Sequence, residues 1–292
     1  MPGTGRRRGS IRRAARIQRT LSRLGIRGAI GAVIAIAPAL LAIPAIAHAA
    51  TPAAVSSVAA EATQFRLTLT DGRVLHSPEL AGAALIIATP TGTAKIHIAA
   101  VERDPDAKSG DVWLHTMLIE QPDGSSTNLC QPGPDGRQQG FPIATHMRPD
   151  GSVEVTAPEQ FELVCTSGAR GKCIRFGYRP WEPAERDLYA ACTRMVRADY
   201  CGDAVATTRN GMLIDLYDDR RIEAADNDPA QEFEAGWTPH GAVCVRHVRV
   251  KENISLDRLV TACPRLAGKV GAMCTEDAAR ALGASLFNRS NP

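Results

Sequence analysis

The chain has 292 residues, of which 44% are apolar, 22% charged and 4% aromatic, with eight cysteines and a formal charge of +3. The first 27 residues hold nine of the arginines and no acid; without residues 1–49 the balance becomes 25 basic against 31 acidic residues, or −6. The basic pI therefore belongs to the N-terminal segment, and with no basic stripe interleaved with aromatics in the remainder, nucleic-acid binding is excluded as a reading of the charge.

Ala29–Ala47 is an Ala/Ile-rich run broken by Pro38 and Pro44 and followed by small residues at Ala47-His48-Ala49. A basic lead, a short apolar core and a small-residue site make a secretory signal with cleavage expected after Ala49. The 19 apolar residues would only just span a bilayer, and the two prolines argue against an anchor, so no membrane association is expected after cleavage. Residues 50–63 read as a flexible Ala/Ser/Thr/Pro linker.

From Gln64 the apolar pattern has period two. Phe65, Leu67 and Leu69 alternate with polar residues and meet Asp71-Gly72 before Arg73–His76, a hairpin signature. The rhythm repeats in Ala84–Ala88 and Lys95–Ala99 around Pro90-Thr91-Gly92, in Val112–Glu120 before Pro122-Asp123-Gly124, and in Ile143–Met147 and Val153–Val155 around Pro149-Asp150-Gly151. Residues 64–180 are thus expected to form an antiparallel β-rich region, a sandwich or partly open barrel.

Residues 181–292 have a different character. Pro183–Val196 places Leu188, Cys192, Met195 and Val196 at helical spacing. Val205–Thr208 and Met212–Tyr217 flank Asn210-Gly211, which predicts a type I′ hairpin. Ala242–Val250 reads as a strand, Leu256–Cys263 as a helix started by Ser255, and Glu276–Phe287 as a last helix capped by Thr275. The fold class is α+β, a β-rich part followed by a cysteine-rich α+β part.

Cys130, Cys165, Cys173, Cys192, Cys201, Cys244, Cys263 and Cys274 all lie beyond the cleavage site, and no two are spaced as C-x2-C. An even count in an exported chain reads as a disulfide framework rather than a zinc site. Cys165 and Cys173 bracket the glycine-bearing stretch Thr166–Lys172, taken as a loop, and are expected to pair. Cys192 and Cys201 bracket the run TRMVRADY; nine residues along one helix set them about 13 Å apart, whereas a disulfide needs Cα atoms within about 7 Å. Each is expected to be a staple bonded outside this stretch, with Cys244, Cys263, Cys274 and Cys130 as candidate partners. Neither is expected to be a nucleophile.

Gly177-Tyr178-Arg179-Pro180-Trp181, Ala191-Cys192-Thr193, Ala198-Asp199-Tyr200-Cys201-Gly202-Asp203, Asp215-Leu216-Tyr217-Asp218 and His240-Gly241-Ala242-Val243-Cys244 together resemble the bacterial ADYC-domain family over about 120–275. The resemblance implies an exported, disulfide-bonded bacterial domain and carries over no catalytic residue.

Chemistry-bearing candidates are few. His240 and His247 are the candidate general bases, with Asp199 and Asp203 as candidate acids, which is the basis of an alternative reading as a secreted hydrolase. No nucleophile elbow, zinc helix, P-loop or dinucleotide fingerprint occurs. Asp226-Asn227-Asp228 opens like a calcium loop, but Gln231 and Trp237 stand where the turn glycine and bidentate glutamate belong. No cofactor and no metal are expected. Trp113, Trp181 and Trp237 are read as packing residues before a binding platform. The sequence therefore favours an exported protein, periplasmic, extracellular or at the cell surface, with a binding or envelope-associated role toward a protein or glycan ligand.

Overall fold

The computed structural model describes residues 53–89, 92–226 and 228–292. The expected signal at 1–49, the start of the linker and Asn227 of the acidic loop lie outside the described residues.

The chain pairs into a sheet nine residues earlier than expected. Strand β1 (Val55–Glu61) lies antiparallel to β2 (Gln64–Leu69), which pairs in turn with β3 (Val74–His76). Half of the expected linker, Val55–Glu61, is thus a strand. Its small residues carry no apolar alternation, but Ala59 and Ala60 are buried once β2 lies alongside, so tertiary pairing overrides local composition. In β2 the alternation holds: Phe65, Leu67 and Leu69 point inward.

A six-stranded antiparallel sheet follows, built from β4 (Ala84–Thr89), β5 (Gly92–Arg103), β6 (Trp113–Glu120), β7 (Ser126–Asn128), β8 (Gly140–Ile143) and, later in the chain, β11 (Glu162–Cys165). Its order is β11-β8-β6-β5-β4, with β7 on β6. Strands β9 (Thr145–Met147) and β10 (Val153–Val155) form the hairpin expected around Pro149-Asp150-Gly151. Thr166–Lys172 is not a loop between strands, because helix α1 (Ala169–Arg175) occupies most of it. Helix α2 (Arg186–Arg197) then buries eight successive residues, Leu188 to Met195. The spacing predicted one apolar stripe, but α2 packs on α1 and also against a second sheet, so it has almost no solvent face.

That second sheet has the order β12-β15-β13-β14: β12 (Ile214–Asp218), β13 (Glu232–Thr238), β14 (Gly241–Val245) and β15 (Leu286–Ser290). Three expectations fail here. Residues 205–208 form no strand, and β12 pairs with β15 instead of closing a hairpin at Asn210-Gly211. Val205 and Leu213 are 59% and 72% exposed, so no burial stabilises such a pair. The expected strand to Val250 stops at Val245. The expected last helix ends at Ala281, as α4 (Glu276–Ala281), because Gly283 turns left-handed at φ +89° and lets Leu286 and Phe287 enter the sheet. Helix α3 (Leu256–Ala262) and α4 start where expected, with Ser255 and Thr275 hydroxyls accepting the Arg258 and Ala278 N–H groups.

One core contains Phe65, Leu80, Ile96, Ile98 and Met117, between the first two sheets. The largest core joins Leu114, Phe141 and Ile143 to Leu188, Met195, Trp237 and Leu286, so it draws on both sides of position 180. The described residues form one compact unit of the expected α+β class, with the β-rich part first and the disulfide-stapled α+β part after it.

His115 on β6 is fully buried, its ring placed between Ser77 Oγ at 2.7 Å and Gly140 O at 3.2 Å. Burial lowers its pKa from the usual 6.5 to about 4, against the Gly140 hydrogen bond. The folded ring therefore stays neutral where the unfolded one is already protonated. Stability is full above pH 6.5 and is lost as the pH falls toward 4, by about 3 kcal/mol. Urea midpoints at pH 7 and 4.5 should show this loss in the wild type and a clearly smaller one in His115→Gln; equal losses would remove His115 as the cause.

Candidate functional site

The stretch Ala198–Asp203 forms the exit from α2. Ala198 ends α2 in the left-handed region, at φ 48° and ψ 41°, and its N–H returns to carbonyls of the last turn. The buried Asp199 carboxylate accepts the N–H groups of Gly202, Asp203 and Ala204 at 2.9–3.1 Å and the Arg194 guanidinium at 2.6 Å. Arg194 also donates to Pro239 O and Pro149 O, tying α2 to the β13–β14 turn and the β9–β10 turn.

Tyr200 stacks on fully buried Trp237, with ring centroids 5.3 Å apart, and donates its hydroxyl to Glu234 at 2.9 Å. Glu234 is held by both prongs of Arg249, at 2.9 and 3.0 Å, and by Asn288, which also accepts the Trp237 indole N–H. Burial opposes charge on both members, yet Arg249 keeps Glu234 below the usual carboxylate range and Glu234 raises Arg249. Burial, with the Glu234 charge added, pushes the Tyr200 hydroxyl well above its ordinary value.

Cys201 bonds Cys263. Gly202, at φ +74°, lies so close to His240 O that a Cβ would sit 2.1 Å from it, so a side chain there would displace the turn. The Arg265 guanidinium binds the Tyr200, Cys201, His240 and Ala242 carbonyls. The remaining motif residues are also architectural: Tyr178 is buried and donates to Asp218, which accepts the N–H groups of Arg220, Ile222 and Glu223.

All eight cysteines are bonded, as Cys130–Cys165, Cys173–Cys192, Cys201–Cys263 and Cys244–Cys274. Cys192 and Cys201 are staples with partners outside their stretch; Cys263, which bonds Cys201, was among the expected partners, whereas Cys173, which bonds Cys192, was not. The expected Cys165–Cys173 pair is wrong. α1 begins between them, and its axis carries Cys173 inward beside α2, while Cys165 at the end of β11 meets Cys130.

None of the four catalytic candidates lines the two clefts described below. Asp199 is committed to Arg194 and the turn. The Asp203 carboxylate accepts the Val205 N–H. His240 gives its backbone to the Gly202 turn while its exposed ring meets Asp150 O at 2.9 Å. His247 sits against Glu232 O at 3.4 Å. The tryptophans form no platform either: Trp237 is buried, Trp181 packs on the large core, and Trp113 lies beneath the Arg103 guanidinium. Among the described residues no group of three His, Cys, Asp or Glu is placed to hold a metal ion.

What the fold does bring together is positive charge. Two clefts of about 590 and 540 Å³ adjoin along Ala169 and Arg197. Lys172, Arg197, Arg209 and Arg249 line the first, and Arg148, Arg170, Arg194 and Arg197 the second, while no Asp or Glu lines either. Arg249 and Arg194 are neutralised by Glu234 and Asp199, Arg170 pairs with Glu162, and exposed Arg148 with Glu154. Half-buried Lys172 and Arg197 have no ion pair among the described residues. Burial pulls the Lys172 ammonium below its usual value, with the Asp135 charge opposing and Arg175 assisting. Sequence reasoning missed these residues because they are scattered singly from 148 to 249 and only α1, α2 and the turns converge them.

The fold and this site define a disulfide-stapled α+β protein with a basic double cleft. Residues 77–251, more than half of the chain, match the sequence profile described as the ADYC domain, and the chain belongs to that family. The match takes in the six-stranded sheet from its first strand and ends before Cys263 and Cys274. No curated protein and no solved structure matches the chain.

Proposed function

We propose that this ADYC-domain protein is an exported binding module, periplasmic, extracellular or on the cell surface, whose ligand is acidic and occupies the paired cleft. Four disulfides support an oxidising compartment. Among the described residues no helix is long and apolar enough to cross a membrane. The observation that carries the reading is the joined cleft, which holds two cations without an ion pair and no carboxylate, although residues 50–292 carry 25 basic against 31 acidic side chains. Clefts walled by one sign of charge concentrate oppositely charged ligands. The Asp199 and His240 groups that a hydrolase would use are engaged in the turn and lie outside the cleft.

Labelled poly-L-glutamate, titrated by fluorescence anisotropy against the protein recovered from an exporting host, is expected to bind at low ionic strength and to weaken as salt is added. The variant Arg148→Glu/Arg197→Glu, which touches two exposed or half-buried side chains, should weaken binding at least about tenfold. Unchanged affinity in that variant, or no preference over neutral dextran, would count against the reading.

A further inference from the structure

Strand β11 is an edge of the six-stranded sheet, and Leu163, Val164 and Cys165 of that strand line the second cleft. Which of its main-chain groups are free follows from the ladder. β11 runs antiparallel to β8 with Glu162 opposite Ile143, Leu163 opposite Pro142, Val164 opposite Phe141 and Cys165 opposite Gly140. The Thr166 N–H donates to Gln139 O at 2.9 Å, continuing that register. Bonded and non-bonded pairs alternate in an antiparallel ladder. Glu162 and Val164 therefore turn their N–H and C=O toward β8, and Leu163 and Cys165 turn theirs away from it. β8 obeys the same alternation, since Gly140 faces β6 at His115, and Pro142, which has no N–H, faces β6 too, where the pairing has no second rung. The outward groups of β11 are thus the Leu163 N–H and C=O and the Cys165 N–H. Cys165 O is already taken by the Gly168 N–H, which ends the edge.

We propose that this edge accepts an extended acidic peptide segment as an added strand, the peptide's main chain pairing with Leu163 and Cys165 and its carboxylates meeting the arginines of the cleft. The proposal rests on the reading of the cleft as an acidic-ligand site and names the ligand's class. Three observations select a peptide. Alternating N–H and C=O groups on a sheet edge are matched by another backbone. No aromatic residue lines the second cleft, so a sugar ring has no face to stack on. Met147, Pro149, Leu163 and Val164 line this cleft together with Arg148, Arg170, Arg194 and Arg197, a mixed lining that fits a strand whose side chains alternate between apolar and acidic. The Cys130–Cys165 disulfide fixes the end of β11, so the edge is ordered before a ligand arrives.

The test uses an acetylated nine-residue peptide of alternating Glu and Val and two versions of it, one N-methylated at the Glu amides and one at the Val amides. In an extended chain these two sets of N–H groups lie on opposite edges. Strand addition requires that one set of methyl groups weakens binding at least about tenfold while the other changes it less than about twofold. The unmodified peptide should also lose at least about tenfold in affinity for Arg148→Glu/Arg197→Glu. Two methylated peptides that bind equally, whether both strongly or both weakly, would overturn strand addition. If in that case the unmodified peptide still depends on Arg148 and Arg197, the acidic-ligand reading survives. Polygalacturonate that binds tighter than the peptide and displaces it would overturn the peptide in favour of an acidic glycan. Failure of both polygalacturonate and the peptide to bind would remove the underlying reading together with this one.

Discussion

Replacing Arg249 by methionine is expected to lower the unfolding free energy by about 3–5 kcal/mol, the range seen when one member of a buried ion pair is removed. Glu234 is fully buried and accepts both prongs of the guanidinium, so the variant strands a carboxylate with neutral partners, Tyr200 and Asn288 among them, and no cation. The same guanidinium donates to Met195 O and Val196 O, carbonyls of the last turn of α2, which lose their partner as well. The cost comes from the uncompensated charge rather than from lost volume. Adding Glu234→Gln to Arg249→Met should therefore restore a large part of the loss, because a neutral amide in that place no longer needs a cation. Equilibrium urea unfolding at pH 7 measures all three proteins. A loss below about 1 kcal/mol for the single variant, or no recovery in the double one, would show that the pair does not hold the α2 exit to the second sheet.

The second large effect concerns the staple of the motif. Cys201 and Cys263 are 62 residues apart, and Cys173 and Cys192 only 19. In the chain-entropy account the longer closure restricts the unfolded chain more, contributing about 4 kcal/mol against about 3 kcal/mol. Cys201→Ser/Cys263→Ser should thus lower stability by roughly 1 kcal/mol more than Cys173→Ser/Cys192→Ser. The native state adds to this difference, since the Arg265 guanidinium that binds the Tyr200 and Cys201 carbonyls sits two residues from Cys263. Urea midpoints of the two oxidised double variants decide the order. The reverse order would mean that local packing around α1 and α2 outweighs loop length.

Much of the fold was legible because it is written in short-range signals. The alternation of Phe65, Leu67 and Leu69 and the Asp71-Gly72 turn fix a hairpin, and Ser255 and Thr275 cap their helices, all within a few residues. Illegible elements depend on distant partners. Leu286–Ser290 continues a helical run in sequence, and only its place between β12 and β13 makes it a strand. Ala59 and Ala60 look like linker until β2 covers them. Proximity in sequence points Cys165 to Cys173, but the helix that begins at Ala169 separates them.

The site divides in the same way. The residues that make the family recognisable, Asp199, Tyr200, Cys201 and Gly202, are the ones the fold uses to leave α2 and turn against His240, and none of them lines the clefts. Residues that line the clefts carry no motif. Arg148, Lys172, Arg197 and Arg209 come from a hairpin turn, two helices and a turn, and nothing local distinguishes them from solvated surface cations.

Hydrogen exchange read by mass spectrometry, with and without poly-L-glutamate at low ionic strength, tests the assignment of the ligand site most directly. Binding in the joined clefts should slow exchange in residues 163–170 and 204–214, which line them, and leave the opposite sheet edge at 84–89 unchanged. Protection confined to other segments, or none at 163–170 and 204–214 under saturating polyanion, would contradict the account.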